Sequence, residues 1–246
     1  MSFKLGNTDI NKMFLGGTEI KKAYLGSVLV YDKTGTPIPI GNLIHYYKLN
    51  ADSNDSVGSS DGTDTNITYT SGKTGNAATF NGSSSNILLP ANVLTSNTEV
   101  SVSFFVKANT STAEYRVLAL NNNGSTRPYT LVRLNASVDD RIGGRVWSST
   151  ELTDVGDLTT SWRHIILTGI EASDQVLYVD GVQVATNTIG NFAQVTSNNN
   201  YLGCARTGGS QFLNGQMYGV GLWDTALTAE EALAVFNEQD GGNHLI

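Results

Sequence analysis

Of the 22 acidic residues in the chain, few stand where two carboxyl groups could work on one bond. Glycoside hydrolysis needs two carboxyls flanking the scissile bond, one as acid and one as base or nucleophile. Asp139-Asp140 and Glu230-Glu231 are adjacent pairs. Neighbours on a strand face opposite ways, and the second pair is explained by helix capping below. A distant pair brought together by folding stays open. His45, His164 and His244 lack metal-ligand spacing, and His164 alternates with Trp162 and Ile166 as a strand-face histidine would. The single cysteine, Cys204, excludes an intramolecular disulfide; in a Tyr-Leu-Gly-Cys strand it reads as a small core residue. No phosphate loop, nucleophile elbow or zinc motif occurs. These patterns point to a chain that is not an enzyme.

The element that would position everything else runs over residues 161–186, SWRHIILTGIEASDQVLYVDGVQVAT. A two-residue Asp-Gly loop between apolar runs is a strong hairpin signal, because a type I′ turn needs positive φ at both positions. Counting from Asp180-Gly181 sets Val179 opposite Val182 and Leu177 opposite Val184, all four on one apolar face. Tyr178, Val176, Gln183 and Ala185 take the other, and residues 162–168 supply a third strand. Val100, Val102, Phe104 and Val106 alternate with Ser101, Ser103, Phe105 and Lys107, a clean period of two. Further strands are expected near residues 43–49, 87–89, 115–120, 129–134, 144–147, 201–204 and 215–223, with residues 51–66 as a polar loop. Thr228-Ala229-Glu230-Glu231 is a capping box, and Leu227, Ala232, Val235 and Phe236 give one short helix an apolar face.

The amino-terminal stretch carries a repeat. Thr8 to Gly16 is echoed ten residues later by Thr18 to Gly26, as T-[DE]-I-x-K-x-[FY]-L-G, and Val28-Leu29-Val30-Tyr31 follows. Two copies are too few to enclose a core. Ile10, Phe14, Leu15, Ile20, Tyr24 and Leu25 therefore need cover from copies of the chain, a partner or the following domain. The expected division is a β-repeat anchoring and oligomerisation segment at 1–36, a linker at 37–42 with Pro37 and Pro39, a β domain at 43–238 and a tail at 239–246.

Two resemblances attach to these runs. The stretch Gly17 to Asp32, and less closely Asn7 to Gly16, resembles the amino-terminal module of phage fibre and tail-associated proteins. YYKLNADSNDSVG, GKTGNAATFNGSSSNILLP, EVSVSFFVK, SWRHIILTG, QVLYVDGVQVAT and NGQMYGVGLWDTALTAEEALAVF resemble, in order, the laminin-G-like, concanavalin-A-like lectin/glucanase family. That resemblance implies an all-β fold, an antiparallel two-sheet jelly-roll sandwich with one short carboxyl-terminal helix, often used to bind carbohydrate or protein. It also implies a calcium site at Asp52 and Asp55 in the loop after the first strand, with hard oxygen ligands. The late acidic position of that site is Tyr218 here, and Asp55 in an Asx turn is the competing reading. The E-x-D-x-x-E strand motif of the glucanases is absent. Arg127, Tyr129, Arg145 and Trp147 are the expected sugar contacts.

A net charge of −7 offers no basic patch to displace counterions, which argues against nucleic acid. No run is long and apolar enough to insert into a bilayer. The start lacks the blocks of a signal peptide, so the expectation is assembly in a host cytoplasm. The sequence thus leads to a virion structural protein, a fibre, decoration or tail-associated part. It would be anchored to virion proteins by its amino terminus, homo-oligomeric as a trimer, and would display a lectin-like domain to cell-surface glycan. A carbohydrate-active enzyme or its binding module is the alternative.

Overall fold

The computed structural model describes residues 38–91, 93–94, 98–109, 114–120, 130–135, 141–146, 150–154, 160–190, 199–205 and 211–246, with six short strand backbones before them. The chain divides into two compact units, Met1–Ile38 and Pro39–Ile246.

In the first unit, β1 (Lys4–Leu5) pairs with β2 (Thr8–Asp9), β3 (Met13–Leu15) with β4 (Thr18–Ile20), and β5 (Lys22–Leu25) with β6 (Val28–Asp32). Leu5 lies opposite Thr8, Leu15 opposite Thr18 and Leu25 opposite Val28. Each pair therefore brackets a two-residue connection that begins with Gly6, Gly16 or Gly26. This corrects the count of two repeats. Framed around Leu-Gly the unit holds three hairpins, and the T-[DE]-I-x-K frame spans the connector between one hairpin and the next. Phe14 and Leu15 fall in β3, Ile20 in β4, and Tyr24 and Leu25 in β5, while Ile10 lies outside the described residues.

The second unit opens with a 3-10 turn (Ile40–Asn42) and is a sandwich of two antiparallel sheets. The first sheet runs β19 (Val182–Thr188), β18 (Asp174–Val179), β17 (Arg163–Ile170), β12 (Glu99–Ala108), β21 (Asn214–Trp223), β10 (Asn76–Asn81), β9 (Thr68–Ser71), with β7 (Leu43–Tyr47) also on β21. The second runs β16 (Leu152–Asp154), β15 (Arg141–Val146), β14 (Thr130–Asn135), β13 (Glu114–Leu120), β20 (Asn200–Leu202), β11 (Asn86–Leu89), β8 (Thr63–Thr65). Val100, Val102, Phe104, Ile165 and Leu167 of one sheet and Val117, Leu118, Val132 and Ile142 of the other are buried in a shared core.

The Asp-Gly hairpin forms as its chemistry demands: φ is 50° at Asp180 and 77° at Gly181. Asp180 also fastens the tip to β17, its Oδ1 accepting the His164 amide at 2.8 Å and its Oδ2 facing Arg163 Nη1 at 2.6 Å. The register is as expected at Val179–Val182 and Tyr178–Gln183, then shifts, so Leu177 lies opposite Ala185 and not Val184. A bulge inserts one residue into the edge strand. Val184 falls at the bulge and is 36% exposed, while Val182, still in the expected register, is 63% exposed.

The polar stretch 51–66 holds β8 and leads into β9, contrary to its reading as a loop. Both strands are edges with mostly exposed side chains, so no buried face imprints a period on the sequence. Asn66, at φ 51°, carries the chain from one sheet to the other.

On the face of β12 opposite Val100, Val102 and Phe104, Ser101 and Ser103 are buried as well. The segment after β21 crosses that face: Ser101 Oγ donates to Thr225 O at 2.7 Å and accepts the Leu227 amide at 2.9 Å. It delivers α1 (Ala229–Asp240), capped by Thr228, whose Oγ accepts the Glu231 amide while the Glu231 carboxylate accepts the Thr228 amide. Ala232, Val235 and Gln239 are the buried side chains of α1. Cys204 is buried.

Candidate functional site

One cluster of polar side chains lies on the face of the second sheet turned away from the core. Along β13, β14 and β15 the residues Tyr115, Leu134 and Ile142 are buried in the core. Alternation then turns Arg116, Arg133 and Gly143 to the other face. The register aligns Arg116, Arg133, Gly143 and Thr153 in one row across four strands.

One carboxylate joins the first two. Glu114 Oε1 accepts from Arg116 Nη2 at 2.7 Å and from Arg133 Nη1 at 3.0 Å. Arg133 Nε donates to Glu151 Oε1. Arg116 Nε donates to Gln211 Oε1 at 2.9 Å, and the Arg116 amide to Gln211 O at 2.9 Å. Gln211 has φ 73°, a left-handed conformation that side chains rarely adopt, and its bonds to β13 hold it there. Gly143 supplies the space for this lattice. A Cβ at that position would stand 1.8 Å from Glu151 Oε1, so the bare glycine is what lets the Glu151 carboxylate cross β15 to reach Arg133.

Burial depresses the Arg116 guanidinium, with the Glu114 charge opposing it. Burial acts the same way on Arg133, but the hydrogen bonds from Glu151 and Glu114 outweigh it and raise that group. Both start so far above neutrality that they remain charged. The lattice is thus two cations and two anions, three of them on β13 and β14 and Glu151 just before β16, with side-chain exposures between 14% and 26%.

Arg145 stands on the same strand and the same face as Gly143, buried to 8% exposure and engaged within the protein. Arg127, Tyr129 and Trp147 lie outside the described residues. In sequence, Tyr129 and Trp147 adjoin Thr130 and Val146, which pair across β14 and β15. Reading the sequence misses Glu114, Arg116, Arg133, Glu151 and Gln211 as a group. Its one signal is the Gly143-Gly144 pair inside a strand, which marks close approach.

Asp52 and Asp55 do not form a cation cage. Asp55 Oδ2 meets His45 Nδ1 at 2.6 Å and accepts the Ser60 amide at 3.1 Å. Its Oδ1 accepts the amides of Tyr46 and Val57 at 3.0 and 3.1 Å, the second bond being an Asx turn. Asp52 Oδ1 caps the Asn54 amide at 3.1 Å. Burial pushes the Asp55 carboxyl up, but His45 and the amides hold it below its ordinary value. These donors occupy its oxygens, and among the described residues no group of three or more His, Cys, Asp or Glu side chains is placed to hold a metal ion. The donor set does not suit a hard cation that takes six to eight oxygens.

Several solved structures share this fold. Domain 4 of AbnA, an extracellular arabinanase of Geobacillus stearothermophilus solved with arabinotriose, aligns over 79% of this chain and 98% of its own, with 23% identity and a TM-score of 0.62. A sialidase of Trypanosoma rangeli aligns over 85% of this chain at 16% identity and a TM-score of 0.69, but over only 35% of its own length. A structure of botulinum neurotoxin type C, whose cell entry depends on interaction with two ganglioside molecules, aligns over 80% of this chain and 51% of its own, at 12% identity and a TM-score of 0.63. No curated protein matches in sequence. The sequence profile of the concanavalin A-like lectin/glucanases superfamily matches residues 81–232, from the end of β10 into α1, and the chain belongs to that superfamily.

Proposed function

We propose that the second unit binds glycan through the outer face of its second sheet, without cleaving it. The observation that carries this is the Glu114–Arg116–Arg133–Glu151 lattice. It is an ion-paired, partly open set of planar donors and acceptors across one sheet face, the kind of surface that fixes sugar hydroxyls. The neighbouring folds belong to proteins solved with arabinotriose or described with gangliosides, which supports the class of ligand.

The protein that carries this domain is, in our reading, a virion component: a phage fibre, decoration or tail-associated protein made in the host cytoplasm. The three tandem hairpins support this, since a lone two-stranded hairpin is marginally stable in water and a series of them calls for outside cover. Virion proteins and a trimeric arrangement of the chain supply that cover. Deleting residues 1–36 is expected to leave a folded sandwich that no longer joins particles. Incorporation at wild-type level would end the anchoring idea. A second reading, the binding module of a carbohydrate-active enzyme, is favoured by the arabinanase domain, 98% of whose length aligns with this chain. A chain that co-purifies with, or is encoded as part of, a hydrolase and never enters particles would establish it instead.

The Asp55 loop works in this reading as a hydrogen-bonded clasp and not as a calcium site. Thermal unfolding with and without chelator is expected to give the same Tm, since a ligand bound only to the native state would raise it. A fall in Tm on chelation would return calcium to the loop.

A further inference from the structure

Resting on the glycan-binding reading above, we propose that the Glu114–Arg116–Arg133–Glu151 face selects uncharged, hydroxyl-rich saccharides and rejects sialylated, uronic or sulfated ones. Three observations carry this.

The first is charge balance. Within the lattice itself two guanidiniums and two carboxylates sum to zero, and each guanidinium is already joined to a carboxylate of the same lattice. Capture of an anion by arginine depends on an open fork that can meet two oxygens at once. Here Arg116 spends Nη2 on Glu114 and Nε on Gln211, and Arg133 spends Nη1 on Glu114 and Nε on Glu151. Arg141 and Arg145, on the neighbouring strand, are engaged within the protein as well. An acidic sugar arriving at this face would meet Glu114 and Glu151 across the same short distances as the guanidiniums.

The second is the alternation of what remains. Each arginine has five N–H donors and each carboxylate about four acceptor positions, so both donors and acceptors are left over, interleaved along one row. A hydroxyl donates and accepts, and can bridge a carboxylate to the neighbouring guanidinium. A sugar carboxylate or sulfate only accepts, and would leave Glu114 and Glu151 facing it unsatisfied. The third is the whole-chain charge of −7, which repels polyanions at long range.

The test is calorimetric titration of the full chain with neutral oligosaccharides (arabinohexaose, xylohexaose, maltohexaose) and with acidic ones (sialyllactose, hexagalacturonate, a heparin hexasaccharide), at low and high salt. Binding is expected among the neutral probes, with a Kd that salt leaves unchanged within about twofold, because little net charge is neutralised. Glu114→Gln keeps the shape and removes one anion, and is expected to admit acidic probes that the wild type refuses. Arg133→Gln is expected to weaken neutral binding by about tenfold, the worth of one good hydrogen bond. Its fold is checked by near-ultraviolet dichroism against Glu114→Gln. A preference for an acidic probe that fades with salt and is lost in Arg133→Gln would overturn the selectivity while sparing the glycan reading. Binding to none of the probes would overturn both.

Discussion

Between pH 6.5 and about 4, His164 alone is expected to take about 3 kcal/mol from the stability of the protein. The ring is wholly buried on the helix side of the first sheet. Its centroid lies 4.6 Å from that of Phe105 and 5.6 Å from that of Phe236. Gln239 of α1 fixes its protonation: Gln239 Nε2 donates to Gly219 O at 2.9 Å and to the Tyr46 hydroxyl at 3.2 Å. That turns Oε1 toward His164 Nε2 at 2.9 Å, where it can only accept. The neutral ring therefore carries its proton on Nε2, and Nδ1 is buried with no hydrogen-bond partner. A second proton at Nδ1 would gain no acceptor. Burial outweighs Gln239, Asp180 and Asp240, which favour the cation, and with Lys73 opposing it as well the group falls to about 4.

The sign follows from the two states. The unfolded chain takes up the proton near pH 6.5 and the folded chain only near 4. Stability from this group is full above the upper value, declines as pH falls through the window, and is gone below it. His244 is also lowered, chiefly by burial, and acts in the same direction. Asp55, held low, loses its contribution only as pH falls below the ordinary carboxylate value of 3.8, beneath the His164 window. Denaturant melts across the window should show a steep slope in the wild type and in His244→Gln, and a shallow one in His164→Gln. Equal slopes in all three would reject the assignment. The physical consequence is local: His164 and Gln239 are the polar tie between sheet and helix, so amide exchange in α1 should rise first as acid is added.

How much of this was legible in the sequence depends on the range of the signal. Asp180-Gly181 declares a turn by the φ values it permits, and Thr228 with Glu231 declares a helix start by mutual capping; both are local, and both formed. The alternation in β12 identified its core face, but α1 and its lead-in buried the opposite face too, and nothing within β12 announces that cover. Gln239 shows the same limit. On a helix it reads as a solvated residue, and only the distant His164 and Gly219 make it a buried plug. The lattice on the second sheet is harder still, because Glu114 and Arg133 come from two strands and Glu151 from the residue just before a third, and no single stretch encodes their register. The bulge at Val184 defeats even short-range arithmetic, since one inserted residue shifts every pairing beyond it.

That dependence on register makes two adjacent glycines the sharpest probe of the site. Gly143 and Gly144 are neighbours on β15 and face opposite sides of the sheet. Neither sits at positive φ, so replacing either tests space and not backbone conformation. Alanine at Gly143 would set its Cβ 1.8 Å from Glu151 Oε1 and 2.9 Å from Cδ. The carboxylate must leave Arg133, stripping a half-buried cation of one partner. With a quarter of the Arg133 side chain in solvent, the cost is roughly 1 kcal/mol. If the lattice is the glycan platform, affinity should fall by about tenfold in the same variant, the equivalent of about 1.4 kcal/mol. Alanine at Gly144 would meet Leu167 Cδ1 at 3.2 Å and Leu177 Cδ1 at 3.5 Å, the movable ends of two core side chains. That tight fit is offset by the backbone entropy that glycine loses on folding, about 0.5–1 kcal/mol, so stability should change little and binding not at all. The pair therefore separates the two faces of one strand. Loss of affinity in Gly143→Ala with retention in Gly144→Ala locates recognition on the outer face, whereas equal affinity in both variants would mean that Glu151 and Arg133 hold the sheet together and touch no ligand.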